Sequence, residues 1–260
     1  MRTLWNKFGV FVKAFLWFLV GFLFVFLVSA SRKAQQNILC SAVHVSMLKE
    51  KDSQFIQEKD VEKLIVSLLP EQNLHIPLKE INLNALERSL AKNPYIKNAE
   101  VYVDAKGKMM AEVQQHLPLV RVVNENNVSY YLNQDGEKMP IAEGFSARVI
   151  VASGHIVDND LDVGEIKTEQ VKNVYLLAKY INENDALKAL VEQIYVEKNN
   201  DIVLTPKVGE HQIVFGSVND IEEKFRNLLV FYKEGLSTVG WDKYKKVNLK
   251  FKNQIVCTKN

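Results

Sequence analysis

The stretch LERSLAKNPYIKNAEVYV, residues 86–103, contains the point at which a short helix gives way to a strand. The helix must end near Asn93, because Pro94 disfavours helical geometry in the residue that precedes it. Small or apolar residues then alternate with polar ones from Ala99 onward, which is the two-residue period of a half-buried strand. The stretch therefore predicts a helix followed directly by a strand, within a small α/β unit.

The neighbouring segments complete this unit. AVHVSML alternates from Val43 to Met47 and predicts a strand, and EKDVEKLIVSLL predicts a helix that ends at Pro70. Asn84 and Glu87 have the spacing of a capping box, which predicts the start of the second helix. AKGK then predicts a turn and MMAEVQQ a returning strand. The order is strand, helix, helix, strand, strand, and we expect it to occupy residues 41–117.

Residues 118–260 predict a larger domain in which strands dominate. LPLVRVV, VSYYLN and ARVIVAS predict three strands, with QDGE turning between the second and the third. A helix from about Thr168 to Glu183 follows, and then the strands LVEQIYVEK, DIVLTPK and HQIVFG. DIEEKFRNLLVFYKEGL predicts another helix that ends near Gly235, with Phe225 and Tyr232 in the core. YKKVNLKF and QIVCTK predict a final hairpin whose last strand lies at the C-terminus.

The N-terminal segment has the composition of a membrane span. It is apolar without a break from Ala14 to Val28, and residues 8–30 would form a helix of about 34 Å, enough for a bilayer core of about 30 Å. A cleaved signal peptide is the alternative, because small residues at Val28 and Ala30 have the spacing of a cleavage site. The flanking charges weakly favour a cytoplasmic N-terminus. We expect a tail at residues 1–7, the span at 8–30 and a linker at 31–40.

The composition and the motifs argue against several classes of function. The formal net charge is +2 and charges of both signs are mixed along the chain, so a nucleic-acid partner is not indicated. The sequence has no HExxH, GxSxG, P-loop or GxGxxG motif, and its five histidines are scattered. We therefore predict no enzymatic activity and no catalytic residue, cofactor, metal ion or small-molecule substrate.

Two features leave alternatives open. Asp158, Asp160, Asp162 and Glu169 fall at positions 1, 3, 5 and 12 of a calcium loop, but the glycine is at position 7, whereas such a loop needs it at position 6. A solvated acidic turn is the favoured interpretation. The two cysteines, Cys40 and Cys257, have no metal-binding spacing. Two unpaired, half-buried thiols are favoured over a disulfide.

The order of these elements resembles that of the bacterial cell-division family FtsQ/DivIB. The resemblance covers nearly the whole chain, and the segments that carry it are Val43 and Val45, Asp60–Val61, LAKNPYIKNAEVYV, KGKMMAEVQQHLPLVRV, YYLNQDGEKMP and VNLKFKNQIVC. It implies an α+β fold with an N-terminal transmembrane helix and a POTRA domain of the order β-α-α-β-β. A mixed α/β domain with a mainly antiparallel sheet, called the β domain, follows.

The resemblance also implies a function. FtsQ-like proteins are scaffolds of the inner membrane at the division septum, with their C-terminal domains outside the cytoplasm, and they recruit septal membrane proteins. A terminal strand presents unpaired backbone groups to which another chain can add a strand. By position, coiled-coil partners like FtsB and FtsL would add to QIVCTK, and the contact would involve Phe251, Asn253, Ile255, Val256, Cys257 and Thr258. The alternatives are a component of polypeptide export and, less favoured, a membrane-anchored envelope hydrolase.

Overall fold

The structure, a computed structural model, describes residues 15–27, 39–48, 54–72, 74–104, 106–159 and 162–260. The chain divides into two compact units. The smaller unit contains Met1–Met47, Glu58–Lys92 and Ala99–Val113, and the larger contains Leu48–Gln57, Asn93–Asn98 and Gln114–Asn260. The domain boundaries that the sequence predicts stay predictions.

Residues 15–27 form helix α1, and each of these thirteen residues is exposed. Within the described residues, no helix combines the length and the apolar character that crossing a membrane requires. The predicted span at 8–30 also includes residues 8–14 and 28–30, which lie outside the described part of the chain, as do the predicted tail at 1–7 and most of the linker.

The smaller unit contains a three-stranded sheet and two helices in the predicted order. Its elements are β1 (Ala42–Met47), α2 (Glu58–Leu68), short 3₁₀ turns at Pro70–Gln72 and Leu78–Glu80, α3 (Leu83–Leu90), β2 (Ile96–Val103) and β3 (Lys108–Gln115). The strand order is β1-β3-β2. Strand β1 runs parallel to β3, with Ala42 opposite Lys108 and Met47 opposite Val113. The last residues of β3 and the first of β2 belong by their contacts to the larger unit.

The helices of the smaller unit bury one apolar face each against the sheet, as their periodicity predicts. Val61 and Ile65 of α2 and Leu90 of α3 are fully buried, and Leu86 of α3 is nearly so. The inward residues of β3 are fully buried as well: Met109, Ala111 and Val113. Strict alternation in the sequence therefore located the buried face of the sheet correctly.

The predicted capping box at the start of α3 is wrong. The N-cap is Asn82, whose side chain accepts a hydrogen bond of 3.0 Å from the Ala85 N–H. Asn84 lies inside the first turn, where it cannot cap. Glu87 instead reaches the neighbouring strand, where its Oε1 accepts a hydrogen bond of 2.8 Å from the Val101 N–H. The glutamate thus ties the helix to β2 and does not close the helix start.

The larger unit is built on a ten-stranded sheet. Its strands are β4 (Pro118–Val123), β5 (Ser129–Asn133), β6 (Glu137–Met139), β7 (Ile150–Gly154), β8 (Gly164–Glu165), β9 (Val191–Val196), β10 (Ile202–Pro206), β11 (Gln212–Gly216), β12 (Tyr244–Asn248) and β13 (Val256–Lys259). Their order is β13-β12-β11-β10-β9-β7-β4-β5-β6-β8. The pairs β4–β7, β7–β9 and β11–β12 are parallel and the others are antiparallel, so the sheet is mixed and mainly antiparallel.

Two short strands, β6 and β8, differ from the sequence prediction. The QDGE turn leads into β6 and not into the strand ARVIVAS, which begins only at Ile150 as β7. Strands β6 and β8 have three and two residues, too few for a two-residue period to be recognised. Tertiary pairing, and not local pattern, creates them.

The helices of the larger unit follow their predicted positions, with one added helix and with the last helical region continuing past Gly235 to Val239. They are α4 (Glu169–Asn182), α5 (Asp185–Leu190), α6 (Ile221–Val230), a π-helical segment (Phe231–Leu236) and α7 (Ser237–Val239). Thr168 caps α4 by accepting a hydrogen bond from the Val171 N–H. Helix α5 was not predicted; Asn184 caps it, accepting from the Ala186 and Leu187 N–H groups.

Both long helices pack on the same face of the ten-stranded sheet. Val174, Leu177 and Ile181 of α4 and Phe225 and Leu228 of α6 join one core cluster. The sheet residues in that cluster alternate along each strand and include Val122, Leu132, Ile194, Leu204, Ile213 and Val247. Tyr232 belongs to the same cluster, which confirms the prediction that Phe225 and Tyr232 are core residues. The next residue along each strand points to the opposite face of the sheet.

Candidate docking edge

The last two strands form the predicted hairpin. Strands β12 and β13 are antiparallel, with Lys246 opposite Thr258, Val247 opposite Cys257 and Asn248 opposite Val256. In the turn Asn253 has a φ of +60°, a left-handed conformation that asparagine tolerates better than most residues. The turn opens with a hydrogen bond of 2.9 Å from the Lys250 N–H to Asn248 Oδ1. An asparagine therefore takes the place of the glycine that such a turn would ordinarily use.

Strand β13 is the terminal strand of the ten-stranded sheet. Strand β12 lies on one side of it, and no strand among the described residues lies on the other. The bonds of the hairpin indicate which backbone groups face outward. The Leu249 N–H donates to the Val214 carbonyl on the β11 side, and the Asn260 N–H donates to the Lys243 carbonyl on the β12 side. Because backbone groups alternate along a strand, those of Val256 and Thr258 face β12.

It follows that the backbone N–H and C=O groups of Ile255, Cys257 and Lys259 face away from the sheet. The side chains of this strand point alternately to the two faces of the sheet. Ile255 and Cys257 are half-buried and pack against the core under the helices. Val256 and Thr258 are exposed on the opposite face of the sheet, Val256 to 43%. The strand thus offers an incoming chain outward backbone groups, with apolar contacts available on both faces.

The structure places the six predicted docking residues in two groups. Val256, Cys257 and Thr258 lie on β13, and Ile255 immediately precedes it. Phe251 and Asn253 lie in the turn, so they cannot contribute to a strand pairing. Phe251 is 49% exposed and lines a groove together with Ile255. Asn253 is absent from the lining of that groove and shapes the turn.

The groove beside the turn contains residues that sequence reasoning missed. Helix α6 and the segment before it contribute Ser217, Asp220, Glu223 and Lys224 to its walls. The Lys224 ammonium donates a hydrogen bond of 2.7 Å to the Ser217 carbonyl and lies over the Phe215 ring. Burial lowers the pKa of Lys224. No local pattern links α6 to a strand some thirty residues later, so only the tertiary structure reveals this wall.

Lys250 fixes the opposite wall of the groove. Its ammonium lies 2.6 Å from Asp201 Oδ2, and its stem passes over Gly216. Gly216 has a φ of +76°, and a Cβ built there would lie 2.7 Å from Lys250 Cγ. The glycine is therefore required both by its backbone conformation and by the close approach of the lysine stem. Lys250, Lys224 and the exposed Lys252 give this groove three cations.

Asp158, the first residue of the candidate calcium loop, forms an ion pair with Lys138. Asp158 is buried, not solvated as predicted: Lys138 Nζ lies 3.0 Å from its Oδ1 and 2.9 Å from its Oδ2. The Tyr130 hydroxyl donates to Oδ2 at 2.5 Å. Burial, and then the bond to Asp158, raises the pKa of Tyr130. Asp160 lies outside the described residues. Among those that are described, no cluster of His, Cys, Asp and Glu has the form of a metal site.

Burial shifts the pKa values of the two cysteines and of one histidine, His211. Cys40 and Cys257 are free thiols, as predicted, but only Cys257 is half-buried, because Cys40 is 0% exposed. Burial raises the pKa of both thiols. His211 is 1% exposed; its Nε2 bonds to the Tyr232 hydroxyl, and its buried Nδ1 has no hydrogen-bond partner among the described residues. Burial lowers the pKa of His211, so the neutral imidazole is favoured. Tyr232 lies in the π-helical segment, and its ring centroid is 5.5 Å from that of His211.

A small β-α-α-β-β unit followed by a larger unit with a mixed, mainly antiparallel sheet is the element order that the resemblance to the FtsQ/DivIB family implies. Comparison with known families agrees. A POTRA-like domain matches residues 38–114, and the family described as "FtsQ/DivIB, C-terminal related" matches residues 117–258. This second match covers more than half of the chain, and the chain belongs to the FtsQ/DivIB family. A search of the curated proteins found no match. The family membership supports a general role as a cell-division scaffold.

Proposed function

We propose that the protein is a non-enzymatic scaffold of the bacterial division machinery, which recruits septal membrane proteins and links them by strand addition to β13. The observation that carries the proposal is the terminal position of β13, with the backbone groups of Ile255, Cys257 and Lys259 directed outward. Edge strands are usually blunted by charge, proline or a covering element. On β13 only Lys259 is charged, so the edge remains competent to pair.

The proposed partner is a pair of small coiled-coil membrane proteins like FtsB and FtsL, one of which supplies the added strand. Alternate side chains of that strand would lie beside Ile255 and Cys257 on the helix-covered face and beside Val256 and Thr258 on the other face. Phe251 would contact the residues that flank the strand, since it is exposed at the groove. Asn253 would act indirectly, by holding the turn.

The proposal includes a single membrane anchor at residues 8–30, with residues 1–7 in the cytoplasm. The POTRA domain at 41–117 and the β domain at 118–260 would then lie outside the cytoplasm, at the septum. In support, residues 15–27 form a helix that exposes apolar side chains all round. A helix that is apolar on every face is stable only in an apolar environment.

The experiment uses two variants at one position. Cys257→Pro removes an outward N–H and leaves the bonds between β13 and β12 in place, because proline is tolerated where an edge strand's N–H faces away from the sheet. Cys257→Ala removes the same side chain but keeps the N–H. Each full-length variant is purified from native membranes, and the proteins that accompany it are identified by mass spectrometry.

We expect small coiled-coil membrane proteins with the wild type and with Cys257→Ala, and at least a tenfold loss with Cys257→Pro, which corresponds to about 1.4 kcal/mol. Equal recovery with both variants would show that the backbone of β13 is not the contact. Absence of every division protein from the wild-type preparation would count against the scaffold role itself.

A further inference from the structure

A second surface of the larger unit has the composition of a carboxylate-binding site. A cleft of about 470 Å³ lies at the edge of the sheet where β4, β7 and β9 begin and β10 ends. The first residues of the three parallel strands contribute apolar side chains to its lining, among them Pro118, Ile150 and Val191. Two amides, Gln134 and Asn182, stand at its wall. The lining thus combines apolar side chains with several polar and charged groups.

The charges around this cleft are unbalanced. Arg148 precedes β7, Lys188 lies on α5 and Lys207 follows β10, so three separate elements bring three cations together. Glu192 is the one carboxylate in the lining, which leaves two net positive charges. In the described part of the chain, neither the Arg148 guanidinium nor the Lys188 ammonium has an ion-pair or hydrogen-bond partner. Both side chains are exposed and therefore available to a ligand.

One of the three cations has a structural partner. Lys207 Nζ donates a hydrogen bond of 2.8 Å to the Lys188 carbonyl, in the last turn of α5. A cation at this end of a helix is favourable because the last carbonyls are unsatisfied. The bond also holds the end of β10 against α5, next to the Lys188 side chain. Lys207 thus positions the cleft, and Arg148 and Lys188 are its free cations among the described residues.

We propose that this cleft binds an acidic peptide segment of a partner protein, with Arg148 and Lys188 holding its carboxylates. The guanidinium of Arg148 can bind a carboxylate through two hydrogen bonds, and the apolar lining residues can contact the aliphatic part of the bound side chains. Charge complementarity favours acidic over neutral segments. Strand β10 is three positions from β13 in the sheet, roughly 14 Å at about 4.8 Å per strand. The cleft is therefore separate from the docking edge, and the proposal goes beyond strand addition.

The test uses the full chain in nanodiscs of phosphatidylcholine and a fluorescein-labelled hexaglutamate peptide, with hexaglutamine as the neutral comparison. Binding is measured by fluorescence anisotropy. The cleft variant is Arg148→Glu with Lys188→Glu. The control variant is Lys172→Glu with Arg226→Glu, two exposed cations on α4 and α6 that lie outside the cleft. Both variants change the net charge equally, so the control separates local recognition from the total charge.

We expect the cleft variant to weaken hexaglutamate binding about tenfold or more and the control variant less than about twofold. Glu192→Lys, which removes the single acid, should tighten binding. Equal losses in the two double variants would overturn the proposal, because the affinity would then follow net charge alone. Equal binding of hexaglutamine would also overturn it. So would a cleft-dependent binding of phosphatidylglycerol vesicles without binding of hexaglutamate, since the cleft would then hold lipid phosphates.

Discussion

Replacing Lys138 by methionine should destabilise the larger unit strongly. Lys138 and Asp158 are 2% and 1% exposed, and the ammonium lies 3.0 and 2.9 Å from the two carboxylate oxygens. At 2.9 Å and an effective dielectric constant of about 20, the gross attraction is about 6 kcal/mol. Methionine keeps most of the volume but leaves a buried carboxylate without its cation, which typically costs about 3–5 kcal/mol. We expect a loss of unfolding free energy in that range.

A second variant distinguishes the loss of the ion pair from simple repacking. Lys138→Met combined with Asp158→Asn removes both charges, and the asparagine oxygen can still accept the hydrogen bond that the Tyr130 hydroxyl donates. We expect this double variant to be more stable than Lys138→Met alone and to lie within about 2 kcal/mol of the wild type, because no buried charge remains.

The assay follows Trp241 through urea unfolding. The chain has three tryptophans, and Trp241, whose ring packs against Tyr232, lies in the larger unit. A background with Trp5→Phe and Trp17→Phe makes its fluorescence report on this unit alone. A loss below about 1 kcal/mol in Lys138→Met, or equal losses in the single and double variants, would refute the argument that a buried charge pair holds this part of the sheet.

Three further predictions concern the structure near the terminal hairpin. Burial lowers the pKa of His211 below its ordinary 6.5. The contribution of His211 to the free energy of unfolding is therefore complete above pH 6.5 and declines as the pH falls, by at most about 1.4 kcal/mol per pH unit. In urea unfolding at several pH values, His211→Gln should remove this pH dependence, and an unchanged pH dependence would assign it to another group. Gly216→Ala should cost more than about 1 kcal/mol in the same assay, because φ is +76° and the Cβ would meet the Lys250 stem; a neutral result would mean that the stem moves freely. Asn253→Val should destabilise by about 1–2 kcal/mol whereas Asn253→Gly should be tolerated, since only the valine is strained at a φ of +60°; equal thermal midpoints for the two variants would contradict the left-handed turn.

The accuracy of the sequence predictions follows the length of the pattern that carries them. The helix capped by Thr168 was predicted within one residue at each end, because it has fourteen residues and an apolar face repeated over four turns. Strand β8 has two residues and no pattern of its own, so it went unpredicted. At α3 the capping box predicted at Asn84 and Glu87 was wrong, because the helix begins two residues earlier, at Asn82, and Glu87 bonds to the neighbouring strand.

The sequence predicted only part of the candidate docking site. Position alone placed Val256, Cys257 and Thr258 on the last strand, because apolar β-prone residues directly follow a turn at the end of the chain. It could not show that Phe251 belongs to a groove, since the wall of that groove comes from α6. It could not show the fate of Asp158 either: spacing suggested a solvated turn, and the fold delivers Lys138 and Tyr130 to the carboxylate from two other strands.

The sequence by itself determined the local properties of this protein: the alternation of its longer strands and the apolar faces of its helices. These follow from backbone and side-chain preferences within a few residues. Only the tertiary structure decided that the final strand is an edge, which of its backbone groups face outward, and where Arg148, Lys188 and Lys207 converge. The physical reason is that strand order and clefts arise from pairings between distant segments, which are selected by burial of the whole core and leave no signal in any one segment.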